Sequence, residues 1–369
     1  MFERRLFFHV DWLLLGAILT LAGIGVLMIY STTYVRVPGG GGYPAREFWV
    51  QLYALGIGSL ALLICLTIDY RMLAEHSLLL YMALIGLLVY VLLAGHSAGG
   101  AQRWIPIGPF RLQPSEFARI TVALILAMYF GENRRGAKNN GDLVVAGLFA
   151  AVPFLLIAKQ PDLGTAVTLL PVCFGIMFLA GLRLRLLGVL ALVGVLLAPL
   201  AWNFALKDYQ KSRIIIFLDP EHDPRGAGYQ PIQARVTVGS GGLTGKGFMG
   251  GTQGQFKFLP VGHTDFIFSV VAEEHGFLGV LVALGLYLFV ILRSLEAARL
   301  SKDRIGAYLV GGIITGFAFQ VIYNITMSAG MAPVKGLTLP LMSYGGSSLI
   351  ATMAAFGLIL NVRMRRFTN

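Results

Sequence analysis

Four short polar clusters interrupt an otherwise apolar chain: Gln113-Pro-Ser-Glu116, Gln160-Pro-Asp-Leu-Gly164, His263-Thr-Asp265 and Ser343-Tyr-Gly-Gly-Ser-Ser348. Each stands immediately before an apolar run, where a helix start leaves amide N–H groups free and the positive end of the helix dipole exposed. Ser, Thr and Asp at such positions are ordinary caps, and capping explains any one cluster taken singly. Taken together, beside cations in the same connections, they describe a site for a phosphorylated ligand, because a helix start has more free amides than one cap consumes. Asp265 is the sharpest candidate. A carboxylate at the mouth of an apolar run can be desolvated enough to act as a base; its structural alternative is to cap the helix, though the neighbouring Thr264 can do that alone and leave Asp265 free.

Other residues are read alongside these. Glu116 and Arg119 are three apart and share a helix face, either as an ion pair between helices or as part of the site. Glu273 and Glu274 lie eight and nine residues beyond Asp265, roughly 12–14 Å deeper at 1.5 Å per residue, so at least one must be paired or protonated. Arg103 and Trp104, in Ala101-Gln-Arg-Trp-Ile-Pro106, suit an interface anchor or a face toward sugar and phosphate. Tyr344 and Ser347 belong to a stretch that reads equally as a tight turn or a backbone nest for phosphate. Gly245-Lys-Gly-Phe-Met-Gly250 fits G-x-G-x-x-G but lacks the strand–turn–helix setting, and as a P-loop it fails at Ser240 and Gly247, so no nucleotide site is read there.

The elements that must position these groups are membrane helices. Of 369 residues, 56% are hydrophobic and 13% charged, which excludes a soluble enzyme, a disordered regulator and a small secreted scaffold. The expected fold is an all-α bundle of ten spans, over 11–31, 48–68, 76–95, 116–131, 143–158, 165–181, 186–206, 265–292, 305–328 and 346–362. The start Met-Phe-Glu-Arg-Arg, followed by an apolar run, reads as an uncleaved first span because no small-x-small site follows. The net charge of +11 fits topology signals and anionic lipid rather than nucleic acid. With the N-terminus inside, 15 of the 29 Lys and Arg fall on inner segments; seven outer ones, including Arg213, Arg235 and Lys246, sit in one long loop, 207–264. Long loops are discounted in the positive-inside rule, so N-in, C-in is expected. That loop, far above the usual connection length, is expected to form a partly ordered platform outside the membrane. Within it 229–239 reads as amphipathic, and Phe256, Phe258 and Leu259 are placed to dip into lipid. Cys65 and Cys173 sit in apolar blocks, and the six histidines form no metal-ligand spacing.

Six blocks carry a family resemblance: Gly100-Ala-Gln-Arg-Trp-Ile, Gln113-Pro-Ser-Glu-Phe-Ala, Gln160-Pro-Asp-Leu-Gly-Thr-Ala, Gly239-Ser-Gly-Gly-Leu-Thr-Gly-Lys-Gly, His263-Thr-Asp-Phe-Ile-Phe and Ser343-Tyr-Gly-Gly-Ser-Ser. In order and over nearly the whole chain, they resemble the SEDS (shape, elongation, division, sporulation) proteins. Ala101-Gln-Arg-Trp, Phe217-Leu-Asp-Pro, Gly228-Tyr-Gln and Ala272-Glu-Glu resemble the elongation branch more than the division branch. The resemblance implies ten spans and a peptidoglycan glycosyltransferase that uses lipid II, with the catalytic carboxylate at Asp265 and a second important acid at Glu116. It also implies pairing with a class B penicillin-binding protein, a transpeptidase, among other membrane proteins of cell elongation. Two positions depart from the family pattern: Arg119 stands where Lys is usual, and Val261 where Glu is frequent.

The implied reaction sends an acceptor hydroxyl onto the anomeric carbon of a donor sugar while lipid pyrophosphate leaves. It needs a base and positive charge. Asp265 is expected to take the proton in one inverting displacement. Arg103, Arg235 and Lys246, with the helix starts, are expected to hold the pyrophosphate, and Trp104, Gln113, Glu116, Arg119, Asp162, His263, Ser343, Tyr344 and Ser347 to line the substrate site. No cofactor is required by the sequence, though a divalent cation would suit the pyrophosphate. The rival reading is a flippase for the lipid-linked precursor, which intramembrane acids would suit. Against it, the polar motifs gather on one face and no internal repeat is found.

Overall fold

A long apolar run in lipid satisfies its backbone N–H and C=O groups most readily as a helix. The computed structural model describes residues 9–36, 42–98, 101–108, 110–132, 140–182, 208–256 and 258–367, with scattered helical positions between 185 and 203. Its long helices are α1 (Trp12–Thr33), α2 (Arg46–Thr67), α4 (Ser77–Ala94), α5 (Ala118–Glu132), α6 (Asn140–Lys159), α7 (Leu163–Leu179), α11 (Ile267–Arg299), α12 (Arg304–Ser328) and α13 (Gly346–Met364), with a short α3 (Tyr70–Glu75) between α2 and α4. Each lies over one of the predicted segments, while the segment 186–206 falls largely outside the described residues. Among the described residues, seven helices are long and apolar enough to cross a membrane by length and composition.

α13 runs through the middle, buried almost end to end and packed along α2, while α12 packs against α5, α7 and α11, and α1 against α11. Leucines such as Leu79 and Leu93 on α4 face outward, as expected where lipid is the solvent.

Two expectations need correction. The chain is not all-α: β1 (Val35–Arg36) pairs antiparallel with β2 (Gly42–Tyr43), and β3 (His96–Ala98), β4 (Ala101–Ile107) and β5 (Phe110–Leu112) form a three-stranded antiparallel sheet in order β3-β4-β5. These strands lie in connections between spans, where the helical period is absent and Gly108, at φ 58, lets β4 fold back on β5. The eighth predicted span is also longer than expected, 33 residues, and it is broken at Gly276 (φ 63, ψ −162).

The break is filled by the chain that precedes it. The amides of Lys246 and Gly247 donate to the carbonyls of Glu273 and Glu274 at 3.0 and 2.9 Å, and those of Phe277 and Leu278 to the carbonyls of Gly242 and Leu243 at 2.9 and 3.2 Å. The orphaned groups of the interrupted helix are thereby satisfied within protein, the condition for irregular backbone at membrane depth. A Cβ at Gly276 would stand 2.3 Å from the amide nitrogen of Gly245, and one at Gly245 2.2 Å from the carbonyl oxygen of Glu274, so both backbones need glycine.

The long loop carries three helices, α8 (Asp208–Leu218), α9 (Tyr229–Ser240) and the single turn α10 (Thr252–Gln255); α9 coincides with the stretch read as amphipathic. Phe256 and Phe258 are exposed, but Leu259 is buried beside Ala234, Phe266, Val270 and Met327.

At the opposite end of the bundle, Asp11 caps α1 and meets Arg293 and Arg363, each at 2.8 Å; Arg71 meets Asp303 at 2.7 Å and Arg365 meets Asp69 at 3.0 Å. These links join α1, α3, α11, α12 and α13 away from the polar clusters.

Candidate active site

The starts of α5, α7, α11 and α13 converge on one cavity of about 1010 Å³, at the upper end of ligand-pocket sizes. Six cationic side chains line it, Arg46, Arg103, Arg111, Arg119, Arg213 and Lys335, against the carboxylates of Glu47, Glu116, Asp162 and Asp265. Capping accounts for only one of the four polar clusters through a side chain: Asp162 Oδ1 accepts from the Thr165 amide at the start of α7, at 3.3 Å. Neither Asp265 nor Thr264 caps α11, which begins beyond Phe266 without a side-chain cap; Thr264 Oγ1 donates instead to the Val261 carbonyl at 3.0 Å.

Asp265 is held by its main chain. Its amide donates to the Val261 carbonyl at 3.1 Å and its carbonyl accepts from Asn324 Nδ2 at 2.8 Å. Val261 itself takes φ 49, a left-handed conformation rare for a β-branched residue. The Asp265 side chain faces the cavity and is half-buried, with protein packed closely around it. Loss of hydration raises its carboxyl from 3.8 to about 6, against the lowering pull of Arg213, a Thr264 hydrogen bond and Arg103. At neutral pH it is an ionised group whose proton affinity suits a base.

Across the cavity, Arg119 Nη2 donates to Glu116 Oε2 at 2.7 Å and Arg119 Nη1 to Gln320 Oε1. Gln113 links two clusters, its Nε2 donating to Asp162 Oδ2 at 2.9 Å and its amide to Ser347 Oγ at 2.9 Å; Ser347 Oγ in turn donates to the Arg111 carbonyl at 2.9 Å. Arg103, on β4 beside Trp104, donates to the Gln160 carbonyl at 3.2 Å and approaches Asp162 Oδ1 at 3.7 Å. A strand, not a helix, brings this pair to the rim.

Four predicted residues do not line the cavity. Lys246 Nζ is held by Glu273 Oε1 at 2.7 Å with Ser240 and Thr252 Oγ1 at 3.0 and 2.9 Å, and Arg235 Nη2 donates to the Gly330 carbonyl at 2.8 Å. Lys246 ties the loop to α11 and Arg235 ties it to the connection after α12, so neither stands among the cations that line the cavity. The Ser343 hydroxyl accepts from the Leu339 amide at 2.8 Å and so closes a turn. His263 sits behind the rim with its ring 5.5 Å from that of Tyr344, which does line the cavity; burial lowers the imidazole pKa, opposed by Glu47.

Sequence reasoning missed Arg46, Glu47, Arg111, Arg213 and Lys335 as lining residues. Arg213 was one cation among seven in the long loop, and only the folding of α8 over the cavity singles it out. Lys335 stands before Gly336 (φ 65), which turns the chain so that a Cβ there would sit 3.5 Å from Asp265 Oδ2. Burial and Arg213 lower the Lys335 ammonium. Among the described residues no group of three or more His, Cys, Asp or Glu side chains is placed to hold a metal ion.

A family profile described as "cell cycle protein" (FtsW, RodA, SpoVE) matches residues 11–367. The peptidoglycan glycosyltransferase MrdB of Escherichia coli K12 is 40% identical over 342 residues, covering 92% of this chain and 91% of that protein. The peptidoglycan glycosyltransferase RodA of Treponema pallidum is 32% identical, with 96% and 98% covered. A structure described as coordinating polymerization and crosslinking in a peptidoglycan synthase complex aligns with TM-score 0.82 and 33% identity, over 98% of this chain and 99% of that one. The crystal structure of Thermus thermophilus rod shape determining protein RodA aligns with TM-score 0.72 and 30% identity, covering 98% of each chain. The chain belongs to the FtsW/RodA/SpoVE family of cell cycle proteins.

Proposed function

We propose that this protein is the peptidoglycan glycosyltransferase of cell elongation, joining lipid II units at the outer face of the bacterial cytoplasmic membrane. The observation that carries the reading is an ionisable, half-buried carboxylate, Asp265, in a cavity lined by six cations. Asp265 takes the proton from the acceptor hydroxyl as that oxygen attacks the anomeric carbon of the donor sugar. The bond to the pyrophosphate oxygen breaks with inversion, and the charge that develops there falls to Arg103, Arg213 and Lys335, which bring fixed positive charge into a partly desolvated space. Trp104 supplies an apolar face for a sugar ring, and Gln113, Asp162, Tyr344 and Ser347 form the polar wall. The pyrophosphate charge is assigned to Arg103, Arg213 and Lys335, and a divalent cation would add to them.

The proposed topology has ten spans with both termini inside, which sets the cavity at the outer boundary and the linked Arg71, Arg293, Arg363 and Arg365 on the cytoplasmic side. The likeness to a chain in a synthase complex supports pairing with a class B penicillin-binding protein that cross-links the strands. Precursor flipping is the weaker reading, since the ionisable groups of the cavity gather at one end of the helices. The test is polymerisation of lipid II by detergent-solubilised protein, where a flippase has no bilayer to act across. Wild type is expected to make glycan chains and Asp265→Ala none; substantial polymer from Asp265→Ala rejects the base assignment.

A further inference from the structure

Asp265 and the Glu116–Arg119 pair stand on different elements, yet both are tied to one short stretch of main chain between α12 and α13. Gln320 and Asn324 are four residues apart on α12 and both are buried, so their side chains lie one turn apart on a shared face. Asn324 Nδ2 donates twice, to the Asp265 carbonyl at 2.8 Å and to the Leu337 carbonyl at 2.6 Å. Gln320 Oε1 accepts from Arg119, and its Nε2 donates to the Thr338 carbonyl at 2.9 Å. Leu337 and Thr338 are consecutive. Each carboxamide therefore grips the same connection with one hand and one side of the cavity with the other.

We propose that Gln320 and Asn324 are positioning residues, a carboxamide strut on α12 that fixes the separation of Asp265 from the Glu116–Arg119 pair across the cavity. A carboxamide suits this task because its two N–H groups reach two carbonyls, as at Asn324, or it pairs a donor with an acceptor, as at Gln320, without a charge that would need its own partner. In a buried setting a carbonyl deprived of its donor is costly, so each bond restricts the others. The strut also spares the reacting group: it binds the carbonyl of Asp265 and leaves the carboxylate facing the cavity. Main-chain placement matters at this site, since a misplacement of about 1 Å can cost on the order of a hundredfold in rate.

The inference rests on Asp265 as the base, and its test separates the two ideas. Spin labels are placed on the full-length protein at Phe256→Cys, on the chain leading to Asp265, and Ile107→Cys, on the strand leading toward Glu116, both exposed positions, with Cys65 and Cys173 replaced by Ala. Asn324→Asp keeps the shape of the side chain but at neutral pH has no N–H for either carbonyl. Gln320→Glu keeps an acceptor for Arg119 and loses the donor to Thr338. Both variants are expected to broaden the interlabel distance distribution relative to the parent. The unlabelled variants are expected to lower kcat on lipid II about tenfold or more while KM moves less than about threefold. Asn324→Ser, which retains one donor, is expected to fall between and serves where Asn324→Asp does not fold. Asp265→Asn is expected to lower the rate by about 10²–10⁴ with the narrow distribution intact, because its carbonyl is still held; if that variant stays within about tenfold of the parent, below that range, the base assignment fails and the distance measurement still judges the strut. An unchanged distribution in the Asn324 and Gln320 variants, or an unchanged kcat, overturns the proposal.

Discussion

Lys246 and Glu273 meet at 2.7 Å across the break in α11, with the Glu273 side chain wholly sealed from solvent. The same carboxylate also accepts from the amides of Thr252, Gln253 and Gly254 at 2.8, 3.0 and 3.3 Å. A buried charge is tolerated when its lone pairs are so engaged. The result is a clasp that closes the segment 246–273 on itself and holds the chain leading to Asp265 against the membrane helix that follows it.

Removing the acid is therefore expected to cost more than removing the base. Glu273→Leu strands Lys246 and three amides and is predicted to destabilise the fold by about 3–5 kcal/mol. Lys246→Met leaves the amides to hold the carboxylate and is predicted to cost clearly less. Thermal unfolding in detergent measures both, and equal losses would contradict the clasp.

The break itself gives a second prediction. Gly276→Ala requires φ near +63 from an L-residue and puts a Cβ 2.3 Å from the Gly245 amide nitrogen. Main chain cannot swing aside as a side chain does, so this variant is expected to lower the unfolding temperature, whereas Gly285→Ala, further along α11 with nothing within 4 Å of a Cβ, is expected to be neutral or slightly stabilising.

The pH dependence follows from Asp265. Its carboxyl is raised to about 6 in the folded protein, so kcat on lipid II is expected to rise through an acid limb near pH 6 and flatten above it. For stability the sign is opposite: between the ordinary carboxyl value and about 6 the folded state binds the proton more tightly than the unfolded chain. This group therefore favours folding at low pH, and that contribution is lost as pH rises through 6. In Asp265→Asn the stability change across this window is predicted to shrink; an acid limb left near pH 4 would contradict the desolvated setting.

Cavity cations and loop cations are expected to separate in kinetics. Arg213→Ala and Lys335→Ala each remove a charge from the proposed pyrophosphate site and are predicted to lower kcat/KM about 10–100-fold, the scale of one charged hydrogen bond. Arg235→Ala, which loses a bond to the Gly330 carbonyl away from the cavity, is predicted to change kcat/KM little. Equal effects at Arg213 and Arg235 would dissolve the distinction.

Much of this arrangement was legible in the sequence because membrane helices announce themselves by length, and polar clusters at their starts mark where amides are free. Asp265, Glu116 and Asp162 were found that way, since each begins an apolar run. The six-block resemblance added the reaction. The strand carrying Arg103 and Trp104 was not legible, because pairing in β3-β4-β5 depends on only a few residues and a turn at Gly108. Lys246 reads as a pyrophosphate cation because charge alone does not say which way a loop folds: its partner Glu273 lies 27 residues on, inside a helix that the sequence reads as unbroken. Arg213 and Lys335 reach the cavity only through the tertiary placement of α8 and of the turn at Gly336. Asn324 and Gln320 gave no signal, being single polar residues in an apolar run whose partners are distant carbonyls.

The most direct measurement is the single-turnover rate of lipid II coupling by purified Asp265→Asn, an isosteric change that keeps the main-chain bonds and removes the base. The predicted result is a rate lowered by about 10²–10⁴, the usual contribution of general base catalysis, with lipid II binding retained. A rate within about tenfold of wild type, below that range, would contradict the assignment of Asp265 as the group that takes the proton.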